Sequence, residues 1–209
     1  MVVLEVGSCD GRDGLQWHAR GYNVIAFEPK KDLYSAIVGR TNHLATKTPY
    51  FRVVNKAVSL VDGEIDFHLC TAGGASSILP FKSDSELEAH WTAQRTDIRY
   101  SGTSYKVSST RLDTFLEESG LTAEPIEYLH VDAQGVDLDV LKSLGTYINN
   151  VRAGVVETCY QLDKAIYATQ KDDVLAVTSW LAAQGFMIER VESNDVTRCE
   201  CNVFFRRIA

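Results

Sequence analysis

The first residues able to do chemistry lie together near the start of the chain, in Glu5-Val6-Gly7-Ser8-Cys9-Asp10-Gly11. A strand-to-helix turn brings its backbone close to a ligand only where side chains are absent, and Gly7 and Gly11 meet that need. A dinucleotide fingerprint, G-x-G-x-x-G, sets a pyrophosphate on a helix N-terminus. Here Cys9 stands at the middle position, and Asp10 and Asp13 add negative charge to the turn. Such acids repel a pyrophosphate and suit a sulfonium and an α-amino group. Glu28, at the end of a second apolar run and before Pro29, can accept hydrogen bonds from both hydroxyls of a ribose. Alone, the glycine loop also reads as a plain tight turn and Glu28 as a surface carboxylate. In this order they point to a nucleoside-bearing ligand.

The elements that must position these residues alternate. Val2 to Val6 reads as a strand, Gly11 to Arg20 as a helix stopped by Gly21, Asn23 to Phe27 as a strand, and Lys30 to Arg40 as a helix. Alternation of this kind implies right-handed crossovers and a parallel sheet. Phe51 to Ser59 is expected as a third strand and Glu64 to Cys70 as the next, with Asp62-Gly63 as a hairpin turn between them. From about residue 71 to 105 the pattern dissolves into Gly, Ser and Thr, apart from a helix expected around Ser85 to Thr96; the stretch reads as an irregular insertion beside the site. His90, Trp91, Tyr100 and Tyr105 within it are candidates to stack on a sugar or base, or to cover core. Lys106 to Thr110 follows as a short strand and Arg111 to Ser119 as a helix. Ile126 to Val131 is a buried strand, and a helix carrying Leu138 and Leu141 comes after Asp132-Ala133-Gln134-Gly135. Val151 to Cys159 is another parallel-type strand. A helix buried through Val174, Val177 and Leu181 precedes a closing pair of strands, Phe186 to Val191 and Asn202 to Arg206.

The chain resembles the FkbM-type methyltransferases, a branch of the class I S-adenosylmethionine-dependent enzymes. The resemblance rests on the Glu5 to Gly11 loop, Ala26-Phe27-Glu28-Pro29, Asn55-Lys56-Ala57-Val58-Ser59 before Asp62-Gly63, and Thr110-Arg111-Leu112-Asp113-Thr114-Phe115. It extends through the stretch from His130 to Lys142. It implies an α/β, Rossmann-like three-layer sandwich over residues 1–209 as one domain. The sheet would be mostly parallel and seven-stranded, with an antiparallel C-terminal strand. It also implies methyl transfer to oxygen, often on a sugar or polyketide hydroxyl, with S-adenosyl-L-methionine as cofactor. By position, the loop of Glu5, Gly7, Ser8, Cys9, Asp10 and Gly11 would hold the methionine part, Glu28 with Pro29 the ribose, and Lys56-Ala57 the adenine edge. Asp132 would face the transferred methyl group or the substrate. Two positions depart from the family pattern: His130 stands where a lysine is usual, and Gln134 where a glutamate is usual. Losing one cation and one anion together is compatible with a local pairing kept in neutral form, or with a changed substrate or base.

An alcohol acceptor needs a base. His130 and Asp132, two apart on a strand, are expected on one face as the catalytic pair, with a structural role the alternative for His130. Gln134 and Glu157, the latter near the end of the fifth strand, are candidates to touch substrate. Asp132, Asp137, Asp139 and Glu157 are oxygen ligands by type, but Asp137 and Asp139 fall in a helix's first turn, where the dipole explains them, and no metal is expected. A nicotinamide-dependent oxidoreductase is the alternative enzyme, disfavoured by Cys9 in the loop. A cofactor-binding scaffold without chemistry is the alternative outside catalysis. The formal charge of −7 argues against bulk nucleic acid as a partner, leaving open a small local basic patch, and a small-molecule or carbohydrate acceptor is expected. Five cysteines without paired C-x-x-C spacing indicate reduced thiols and a cytoplasmic protein. No apolar run is long enough to span a membrane, and no leader is expected.

Overall fold

The structure, a computed structural model, describes residues 1–71, 73–83, 98–194 and 199–208. Its strands and helices follow in the order β1 (Val2–Val6), α1 (Arg12–Ala19), β2 (Asn23–Phe27), α2 (Lys31–Thr41), β3 (Phe51–Val54), β4 (Ala57–Val58), β5 (Gly63–Cys70) and β6 (Tyr100–Thr110). After these come α3 (Leu112–Glu118), β7 (Ile126–Val131), α4 (Asp137–Lys142), β8 (Val151–Cys159), α5 (Val174–Ala183), β9 (Phe186–Ser193) and β10 (Glu200–Arg207). The helix expected at Ser85 to Thr96, with His90 and Trp91, lies outside the described residues.

Seven strands form the main sheet in the order β3-β2-β1-β7-β8-β10-β9. The first five are parallel, and β10 runs antiparallel to both β8 and β9. The central strands are mostly apolar because helices cover both faces of the sheet. Val2, Leu4 and Val6 pack in one cluster with Leu112, Leu116, Leu138 and Leu141, whereas Val3, Val24 and Ala26 pack against Ile37 and Phe51. Winding goes outward from β1 to β3, then returns to place β7 on the other side of β1. That reversal opens a crevice at the C-terminal ends of β1 and β7, where sheets of this kind bind ligands.

Three expectations need correction. The strand expected over Phe51 to Ser59 is two strands in two sheets: the Asn55 amide donates to the carbonyls of Glu28 at 2.8 Å and Pro29 at 3.1 Å, turning the chain out of the main sheet. Asp62-Gly63 does not close a hairpin between β4 and β5. Both pair instead with β6, in a three-stranded sheet of order β4-β6-β5, and the Asp62 carboxylate accepts from the Arg111 amide at 2.9 Å and the Thr114 hydroxyl at 2.9 Å. The insertion is also shorter than expected, because residues 100–105 are the first half of β6. This half escapes a pattern search because its side chains are mostly exposed, Ser and Thr among them, so no apolar alternation marks it. Among the described residues, no helix is long and apolar enough to cross a membrane.

Candidate active site

The loop after β1 is held by its own backbone and by three neighbouring elements. Gly7 has φ +81°, and a Cβ there would lie 1.8 Å from the Asp132 carbonyl oxygen, so only glycine lets the ends of β1 and β7 come together. The Gly11 amide donates to the Ser8 carbonyl at 2.6 Å, and the buried Ser8 hydroxyl donates to the Phe27 carbonyl at 3.1 Å. Asp10 faces outward, accepting from the Arg12 amide at 3.0 Å. Glu5 is buried beneath α1, where one of its oxygens accepts from the Gly14 amide at 3.1 Å and the other has no hydrogen-bond partner among the described residues. Burial, with Asp13 and Asp10 nearby, pushes its carboxyl up to about 8. Glu5, Ser8, Asp10 and Gly11 therefore shape the loop from outside, and only Gly7 and Cys9 of its six candidates line the cleft.

Glu28 does line the cleft, as do Pro29, Lys56 and Ala57. It is 4% exposed, and its two oxygens accept separately from the amides of Cys9 and Lys30, both at 2.8 Å. Burial pushes this carboxyl up to about 7 against the pull of those two N–H groups. Cys9 reaches Glu28 by adopting φ +49°, an uncommon conformation for a residue with a side chain. Its thiol is pushed up by burial and by the surrounding carboxylates. The remaining wall, unforeseen in the sequence, includes Phe27, Leu33 and Val58 and, from β5 and the chain beyond it, Phe67 and Ile78.

A second cavity shares Gly7, Cys9, Asp132 and Gln134 with the first. Gln134, at φ +56°, is the centre of its polar wall. Its amide nitrogen donates to Asp132 at 2.5 Å and to Glu157 at 2.9 Å, and its amide oxygen lies 2.6 Å from the Tyr167 hydroxyl. Asn194 donates to the other oxygen of Glu157. Burial, with the charges of Asp132 and Glu200 close by, holds the Glu157 carboxyl well above the usual range. Asn194 and Glu200, which line the cavity, and Tyr167, buried behind Gln134, were not foreseen, since each comes from a distant part of the chain with no motif around it.

His130 lies elsewhere. It pairs in register with Glu5 across β1 and β7, and its Nδ1 is 3.9 Å from an Asp13 oxygen on α1. The same-face expectation for His130 and Asp132 does not hold, because strand alternation governs β7 only to Val131, beyond which Asp132 turns to Gln134. The two departures from the family pattern therefore do not compensate one another. His130 faces acids under α1, and Gln134 faces acids in the cleft. Asp137 spends its carboxylate on the amides of Ala133 and Gly135, at 2.5 and 2.9 Å, and Asp139 pairs with Lys142 at 3.9 Å. Tyr100 stacks on Phe81 and Tyr105 packs edge-on against Phe67, so neither offers a face to the two cavities.

The Methyltransferase FkbM domain matches the chain over residues 5–188. The chain belongs to the FkbM methyltransferase family. No curated protein matches it in sequence. Among solved structures, methyltransferase FkbM from Methylobacillus flagellatus KT superposes with a TM-score of 0.55 at 12% identity. The match covers 97% of this chain and 42% of that one, so this chain spans less than half the length of that relative. Magnesium protoporphyrin IX methyltransferase from Synechocystis PCC 6803, with bound SAM, gives 0.51 at 8% identity, covering 99% of this chain and 69% of that chain. SMU.1697c of Streptococcus mutans, in complex with SAH, gives 0.51 at 11% identity, covering 99% and 88%. The FkbM fold seen here is thus the class I, Rossmann-like methyltransferase fold. The cleft combines a buried carboxylate with an apolar wall and a glycine turn at its end.

Proposed function

We propose that the chain, acting as one domain over residues 1–209, transfers the methyl group of S-adenosylmethionine to a hydroxyl of a small, sugar-like acceptor. The observation that carries this reading is the junction of the two cavities at Gly7, Cys9, Asp132 and Gln134. The larger apolar wall and Glu28 suit the nucleoside, with Glu28 on the ribose, Pro29, Lys56 and Ala57 beside the adenine, and Gly7 and Cys9 at the methionine part. The neighbouring cavity, walled by Asp132, Gln134 and Glu157, suits an acceptor rich in hydroxyls.

When bound, the cofactor supplies an electrophilic methyl group on a sulfonium. The protein's share is to align an acceptor oxygen in line with that group and to take its proton. Asp132 borders both cavities and is the base in this reading. Glu157, held above the usual carboxylate range, receives a second hydroxyl of the acceptor. Gln134 keeps the two carboxylates together by donating to both, as a glutamate could not. The net charge of −7 argues against bulk nucleic acid as acceptor, and the five cysteines, none of them in a disulfide, suit a cytoplasmic setting.

Replacing Asp132 tests the reading. Asp132→Asn should leave the affinity for S-adenosylhomocysteine, measured by calorimetry, within a few fold. It should lower tritiated methyl transfer to a panel of monosaccharides by about 10²–10⁴-fold. Full transfer by the variant would remove Asp132 from the chemistry, and binding of NAD in place of S-adenosylhomocysteine would sink the reading as a whole.

A further inference from the structure

Outside both cavities, one group of side chains lacks an explanation in the proposed reaction. Glu5 on β1, Asp13 on α1 and His130 on β7 bring one ligand atom each to within 4.8 Å of one another. Glu5 is 3% exposed, and its second oxygen has no hydrogen-bond partner among the described residues. A carboxylate oxygen buried in that way is costly unless something positive meets it. The backbone does not fill the need: the Gly14 amide serves the other oxygen, and a Cβ on Gly14 would come within 2.3 Å of the orphaned one. Only a glycine fits between that oxygen and the Phe51 ring, so Gly14 brings no side chain against the oxygen.

We infer that Glu5, Asp13 and His130 form a binding site for a divalent transition-metal ion beneath α1. One imidazole with two carboxylates is a zinc-type donor set, also suited to cobalt or manganese, and the imidazole argues against calcium or magnesium. Metal–ligand bonds of about 2.0–2.2 Å require the three donors to draw together by roughly an ångström. Asp13 can make that adjustment, since its side chain is 57% exposed on the surface helix. The same exposure gives the ion an entry path and leaves its open positions to water. An ion there would tie β1, α1 and β7 together at the base of the loop that carries Gly7 and Cys9. The inference stands on Glu5 and its neighbours alone and is independent of the acceptor chemistry.

The test uses the full chain, stripped with a chelator and titrated with zinc and, separately, with cobalt(II). One equivalent of zinc should bind by calorimetry and raise the unfolding temperature. Cobalt(II) should show visible d–d bands without the near-ultraviolet charge-transfer band that thiolate ligands produce. His130→Ala should weaken zinc binding at least about tenfold, and Asp13→Asn, on an exposed helix face where folding is not at risk, should do the same. Absence of zinc binding, binding undiminished in the two variants, or a thiolate band pointing to the cysteines would each overturn the assignment.

Discussion

A Cβ on Gly7 would stand 1.8 Å from the carbonyl oxygen of Asp132, although the two residues end different strands. The close approach lets β1 and β7 open a single crevice. Gly7→Ala combines this overlap with a left-handed φ of +81° and should destabilise the fold by more than about 2 kcal/mol, besides abolishing S-adenosylhomocysteine binding. Urea unfolding measures the first and calorimetry the second. An unchanged midpoint would show that the strand ends are not in this contact.

Glu28 predicts a pH dependence. With its carboxyl pushed up to about 7, the group is largely protonated below neutrality, where it loses acceptor capacity for ribose hydroxyls. S-adenosylhomocysteine should bind more tightly as pH rises towards 7, by at most about tenfold per unit, and level off above it. The free protein should show the opposite trend. A raised carboxyl contributes stability that is complete below the ordinary carboxylate value and lost as pH rises through about 7. Glu28→Gln should flatten both curves, and a binding curve that keeps its slope in the variant would remove Glu28 from the ribose.

Gln134 bridges two carboxylates by donating to each. Gln134→Glu would place a third negative charge between them and push Glu157 still higher. The acid limb of the pH–rate profile should then move up by about one unit, with turnover at neutral pH lowered by about tenfold. An unmoved profile would mean that the amide does not control ionisation in the acceptor cavity.

Tyr167 is 2% exposed, and its hydroxyl lies 2.6 Å from the Gln134 amide oxygen and 2.9 Å from the Ala75 carbonyl. Tyr167→Phe leaves those oxygens short of a donor and should cost about 1–3 kcal/mol of stability. If the hydroxyl also holds Gln134 in place, kcat should fall while the affinity for S-adenosylhomocysteine stays level. Equal losses in both would instead assign Tyr167 to the fold at large.

Much of the sheet was legible before any coordinates. Val2–Val6, Asn23–Phe27, Ile126–Val131 and Val151–Cys159 fall where their apolar runs place them, because strands buried on both faces have to be apolar and are punctuated by the glycines and acids that follow. The second sheet was not legible in the same way. Half of β6 is solvated, so burial imposed no pattern on it, and Asp62-Gly63 was drawn away from a hairpin by hydrogen bonds to Arg111 and Thr114.

At the site, the sequence by itself determined the family, the strand-end loop of Gly7 and Cys9, and the carboxylate Glu28, all read from local order along the chain. Only the tertiary structure decided that Glu5 turns under α1 to meet His130, and that Asp132, Gln134, Glu157 and Tyr167 share one network. The reason is physical: which way a side chain faces at a strand end, and what it meets there, depend on pairing between segments far apart in sequence. No spacing within a segment records that pairing.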